Sequence, residues 1–317
     1  MFAASPAARL MALLLPVAAS PLVAAPQSPT QRDAEPRIAG VADYTHPIGV
    51  RFQHPDRWRV SETGLGLEVT PPDRGHGAFG PTEIHVVTIV GANDVTSLEA
   101  PAAVQFVDAR VRELFPFLRR EQDIKPLDGG GRRFTWTGRH PAGLDAECHV
   151  YSKLIGGYVL SISTAGERSL VRRRRPSIET MFATLTLGEP QIDPRLASTW
   201  YAKNYRTVGD VQDRINFANT QTVTLVADGS LSSSSQTAIS GQTGRNNPQR
   251  PGTSISGMTE AAREAGRWAM QGEYVYMLWK TGGVTKCKVY VQGAPGRREL
   301  LVTQLNGSKS LWTEYNE

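Results

Sequence analysis

Two short segments carry the residue types that metal and acid–base chemistry needs. "EIHV" (83–86) and "ECHV" (147–150) each place a glutamate two residues before a histidine. Residues two apart share one face of an extended strand, so Glu83 projects with His85, and Glu147 with His149. Were the two strands neighbours, the four side chains would form a two-histidine, two-carboxylate set able to hold zinc or iron. The opposing reading is a polar sheet face whose glutamates and histidines meet water or pair across strands. No third segment with ligand spacing joins them. The sequence therefore assigns no catalytic residue, cofactor or metal, and leaves Glu83, His85, Glu147 and His149 as the metal candidates.

The largest charge run, Arg172, Arg173, Arg174 and Arg175, stands directly before Pro176. Guanidinium forks meet phosphates and carboxylates with two bonds at once, so the run suits contact with an anionic surface. The alternative is a solvated loop ahead of a helix that Pro176 opens. Other signatures lack their context. "GTSISG" (252–257) lies in a polar loop rather than on a strand–elbow–helix turn. "LDGGGRR" (127–133) precedes a strand, whereas a phosphate loop opens a helix. The six histidines all lie at or before His149, so the C-terminal part holds no histidine triad or histidine metal cage of its own. In "FQHPDRW" (52–58), His54 and Asp56 read as turn residues facing water. Cys148 and Cys287 alternate with apolar neighbours, which suits two free buried thiols, with one bridge between domains as the alternative.

The elements that must position these groups fall into two sets. Residues 1–25 have one early charge (Arg9), an apolar centre and small residues after it, the layout of an export signal. The expected location is therefore periplasmic or secreted, and no cysteine lies near the segment for a lipid anchor. Without it the formal charge falls from +5 to +4, a small basic excess. Export argues against nucleic acid as a partner, and no later run is apolar enough to span a bilayer as a helix. Residues 26–43 read as a linker. Across 44–188, alternating strands surround an apolar stripe (Val104, Val107, Val111, Leu114, Leu118) at helical spacing, and a second stripe runs through Ile178, Met181, Phe182 and Leu185. This is an α+β pattern, an antiparallel sheet with flanking helices. A linker at 189–195 leads to 196–317, where short strands and tight turns suggest an all-β meander that closes into a barrel.

The spacing Phe52-x-x-Pro55-x-x-Trp58 within "IGVRFQHPDRWRV", together with the closing "FATLTL", resembles the PsbP-like α/β sandwich domains, which include the DcrB-like envelope proteins. The resemblance covers 44–188. It implies a scaffold whose relatives serve as photosystem accessory proteins, a Ran-binding protein and envelope proteins, mostly without catalysis. "LASTWYA", "TLVADGSL" and "GRWAMQGEYVYML" resemble the lipocalin-like bacterial β domains, with a polar insertion at 241–257 outside their pattern. That likeness implies ligand binding in a barrel, although small barrels are often filled by their own side chains. The expected function is a non-catalytic binding or accessory role at the bacterial cell envelope, by contact with a protein partner, anionic lipid or a small apolar ligand. The alternatives are a periplasmic hydrolase or metal-dependent enzyme with its site in the N-terminal domain, and a chaperone-like binder of exported apolar segments.

Overall fold

The computed structural model describes residues 40–77, 80–92, 95–208, 214–243, 253–260 and 264–315. The export-signal segment 1–25, most of the linker 26–43 and the centre of the polar insertion (244–252) lie outside the described residues. The chain forms two compact units, one built mainly from 52–89 and 94–185 and the other mainly from 186–317.

Beyond a strand at Val41–Thr45, the first unit contains most of β1 (Val50–Pro55), β2 (Arg59–Thr63), β3 (Gly66–Thr70) and most of β4 (Glu83–Gly91). Helix α1 (Pro101–Leu114) follows, with Pro101 at its first turn and its end one residue short of Pro116. Then come β5 (Leu118–Arg120), β6 (Arg132–Arg139), β7 (Asp145–Ile155), β8 (Tyr158–Glu167) and helix α2 (Arg168–Thr184). The main sheet runs in the order β2-β3-β4-β8-β7-β6-β5. Gly156 and Gly157, both at positive φ, make the two-residue turn between β7 and β8, as their pairing predicts.

Each face of this sheet has its own cover. On one face Phe134, Trp136, Cys148 and Val150 pack with Val104, Val107 and Val111 of α1, and the Trp136 indole N–H donates to Asp108 at 2.9 Å. The other face lies under α2, whose Val171, Ile178 and Met181 are fully buried. Here the structure corrects the sequence reading. Pro176 does not open the helix but sits inside it, and the four arginines are helical rather than a loop. Proline in a helix interior forfeits one backbone bond and costs on the order of 3 kcal/mol. The buried apolar stripe and the ion pairs described below offset that cost. His54 is buried, not solvent-facing, with its Nδ1 2.8 Å from the Pro55 carbonyl, whereas Asp56 is exposed.

The second unit is a closed barrel of eight antiparallel strands: β9 (Ser198–Val208), β10 (Arg214–Leu225), β11 (Ser230–Thr243), β12 (Glu264–Gln271), β13 (Tyr274–Trp279), β14 (Val284–Gln292), β15 (Glu299–Gln304) and β16 (Lys309–Glu314). Each strand pairs with the next, and β16 returns to β9 through Trp200↔Glu314 and Tyr201↔Thr313. This is the up-and-down closure by which lipocalin-type barrels remove their sheet edges. Thr253–Glu260, expected to be loop, is instead a strand added to β11. Among the described residues the interior is filled. Trp200 and Trp268 have no exposed surface, and Leu225, Leu231, Val275, Val289 and Leu300 pack with them. Both indoles are satisfied: Trp200 donates to Leu196 O at 2.9 Å and Trp268 to Val226 O at 2.8 Å.

Candidate functional site

The α2-covered face of the main sheet holds every metal candidate and every arginine of the run. Alternation puts Glu147, His149 and Tyr151 of β7 on this face, with Thr135 and Arg133 of β6 as their cross-strand partners or neighbours. Thr164 of β8 is the register partner of His149. On the far side of β8, His85 of β4 approaches the same threonine, with its Nδ1 2.8 Å from Thr164 Oγ1.

Two similar triplets result. In one, His85 Nε2 lies 3.1 Å from Glu83 Oε2 while Nδ1 meets Thr164. In the other, His149 Nε2 lies 2.5 Å from Glu147 Oε1 while Nδ1 lies 3.2 Å from Thr135 Oγ1. Both are buried, and Thr164 has no exposed surface. The condition for a shared metal site is not met, because β8 runs between β4 and β7. Two strand spacings separate the histidine backbones by about 10 Å, while metal–nitrogen bonds are about 2 Å long. Among the described residues no group of three or more histidine, cysteine or acidic side chains could hold a metal ion.

The glutamates meet arginines instead. Arg174, itself buried, grips Glu83 with two bonds, Nη2 to Oε1 at 2.8 Å and Nε to Oε2 at 3.1 Å, and reaches Asp73 Oδ1 at 2.5 Å. Arg173 joins at Asp73, 3.3 Å away. Arg172 lies 3.1 Å from Glu147, with Arg168 at 3.5 Å from the same oxygen. Arg175 and Arg133 meet at Glu179, at 2.7 and 3.1 Å. Each arginine of the run therefore has a carboxylate partner within the unit.

The electrostatics follow from burial and these partners. Burial alone would raise Glu83, but hydrogen bonds from His85 and Arg174, with the charges beside them, hold it down to about 2. Burial lowers His149 below the usual histidine range, against the opposing pull of Glu147. A neutral His149 then donates from Nε2 to Glu147 and accepts from the Thr135 hydroxyl. Burial pushes the Tyr151 hydroxyl and the Cys148 thiol up to about 12 each. Cys148 and Cys287 are free and buried.

Sequence reading located the glutamates, histidines and arginines but missed the residues that join them. Trp58 stacks on His85 with ring centroids 5.3 Å apart, and the Arg174 guanidinium lies 5.6 Å from the Trp58 ring. The tryptophan of the Phe-x-x-Pro-x-x-Trp spacing thus lids the first triplet. Thr164 and Thr135 could have been found from the strand register, and Asp73, in a loop, carried no signal. Chemically, a buried Glu–His–Thr chain orders protons as a relay does. A relay that turns over a substrate must reach it, and here arginines and Trp58 occupy the approaches.

No protein-family model matches the chain, and no curated protein matches it. Among solved structures its N-terminal part is similar to the Ran-binding protein Mog1p of Saccharomyces cerevisiae, at 10% identity over 47% of this chain and 95% of that one, with a TM-score of 0.36. It is similar also to the cyanobacterial PsbP (CyanoP) of Synechocystis sp., at 13% identity over 51% of this chain and all (100%) of that one, with a TM-score of 0.34.

Proposed function

We propose that this protein is an exported, non-catalytic binding or accessory protein of the bacterial cell envelope, which acts by surface contact rather than turnover. The observation that carries this reading is the closure of the α2-covered face. The glutamates there are held by arginines, and the hydroxyl between the two histidines is wholly buried. A nucleophile or general base needs hydrogen-bond reach to a reacting group, and these groups spend that reach on one another. The filled part of the barrel supports the same reading, since Trp200 and Trp268 stand where an apolar ligand would lie. Support for export comes from the layout of residues 1–25. Among the described residues no helix is long and apolar enough to cross a membrane.

Native mass spectrometry of the full chain recovered from its own envelope tests the proposal. The expected result is a co-purifying protein or lipid at fixed stoichiometry. Recovery of a substrate–product pair whose conversion stops in Thr164→Val, with the fold intact by circular dichroism, would overturn it.

A further inference from the structure

The outer surface of the barrel carries a stripe that no internal contact explains. Outward positions of three adjacent strands align in register: Tyr290 opposite Leu301, and Leu301 opposite Leu311. These side chains are exposed at 64%, 37% and 52%. Leu305, at the turn between β15 and β16, is the most exposed large apolar residue described, at 73%. Strand alternation alone would place polar groups here, as it does with Lys288, Thr303 and Lys309 in the next row of the same face.

We infer that this face docks the barrel on an anionic phospholipid surface, an inference that rests on the accessory reading above and names its partner. Three features commit it to lipid. The stripe lies on a convex barrel wall, and apolar side chains on a convex surface can enter a deformable lipid interface without a matching groove. Leu305 leads at a turn tip, where it can enter first. The charge complements anionic headgroups: Lys203, Lys286, Lys288 and Lys309 share the outward side of these neighbouring strands with Glu273 and Glu299 alone among the acids described there. Lys288 is shared with Glu273 at 2.7 Å, while Lys203 and Lys286 lie over tyrosine rings. Lysine beside tyrosine and leucine is the composition that settles at a headgroup boundary, with apolar bodies inward and charges at the phosphates.

Co-sedimentation of the full chain with vesicles decides the matter. Wild type is expected to bind vesicles of equal parts phosphatidylcholine and phosphatidylglycerol, to bind phosphatidylcholine alone far less, and to weaken with added salt. Each lysine near an anionic surface raises partitioning about fivefold, so Lys288→Gln with Lys309→Gln lowers it about 25-fold. Leu305→Ser with Leu311→Ser lowers binding to both vesicle types. These positions are exposed, and unchanged melting of the variants confirms intact barrels. Arg172→Ser binds as wild type does. No binding by wild type, or equal binding by the barrel variants, overturns the inference, as does loss of binding in Arg172→Ser alone. A photo-crosslinker at position 301 that captures one envelope protein instead of lipid also overturns it, while leaving the accessory reading in place.

Discussion

Arg174→Met removes the guanidinium that grips Glu83 while keeping a helix-compatible side chain of similar length. Glu83 has no exposed side-chain surface, so the variant leaves a buried carboxylate with His85 as its remaining close partner. The magnitude follows from the carboxylate itself. Its fall from 4.5 to about 2 is a difference of 2.5, which at about 1.4 kcal/mol per pH unit gives about 3.5 kcal/mol of stability. It is held by His85 first and Arg174 second, so that figure is the ceiling on what Arg174 supplies through it. Breaking one side of a buried ion pair costs about 3–5 kcal/mol in general, and with His85 still bonded to Glu83 the loss for Arg174→Met falls at the low end, about 3 kcal/mol. The sign is fixed by the direction: a depressed carboxylate stabilises fully above 4.5, and the contribution is lost as pH falls from there towards 2. The assay is urea unfolding read by the helical circular-dichroism signal, which among the described residues comes from α1 and α2, both in the first unit. Near neutral pH the variant should lose about 3 kcal/mol, and its first unit should melt on the order of 10 °C lower. The gap between variant and wild type should close as the pH falls through that window. Adding Glu83→Gln to Arg174→Met should recover most of the loss, since removing both partners costs far less than orphaning one. A loss under about 1 kcal/mol near neutrality, or a gap that stays constant from 4.5 down to about 2, would refute the reasoning.

Other outcomes follow from the same contacts. His149 is held neutral by burial, so wild-type stability should fall with pH below about 6.5, and His149→Gln should flatten that slope in equilibrium melts. Both thiols should be silent to an aromatic disulfide reagent in the folded protein and should titrate as two after denaturation without reductant. Trp268→Ala should cost about 3–5 kcal/mol by calorimetry, since it empties the centre of the barrel core. Gly266→Ala should destabilise the same barrel, because a methyl group there would stand 2.2 Å from the Leu278 carbonyl oxygen.

Much of the scaffold was legible because local patterns and tertiary packing agreed. The Val104–Val107–Val111 stripe named the helix face that meets the sheet, and the alternation Ala146, Cys148, Val150 named the opposite partner. Gly156–Gly157 and Asp228–Gly229 are glycine-containing pairs that turn one strand onto the next, and consecutive short strands gave a meander that closes into a ring. The candidate site was legible only in pieces. Glutamate and histidine at alternate positions ordinarily mark a wet sheet face, yet here both pairs are buried, because the element covering them brings its own cations. Pro176 misled for a similar reason. Its local preference for a helix start was overridden by eight residues before it, whose arginines gain partners only if the helix begins earlier.

That earlier start explains why the arginines stand in a run at all. A helix turns about 100° per residue, so Arg172 and Arg174 point about 200° apart, to opposite flanks of α2. Beneath the helix, β8 runs with Glu83 on the strand to one side and Glu147 on the strand to the other. Arg174 reaches the first glutamate and Arg172 the second, while Arg168 and Arg175, one turn either way from Arg172, serve Glu147 and Glu179 on its flank. In an extended loop the same four letters would alternate between two faces, and Arg172 and Arg174 would share one of them. The helix is what divides a uniform charge run between two buried acids. A one-residue slip would bring Arg173 and Arg175 to the places of Arg172 and Arg174, so the run alone does not fix how the helix lies. The wholly buried Val171, Ile178 and Met181 do, since the same slip would turn that stripe by about 100° away from the sheet.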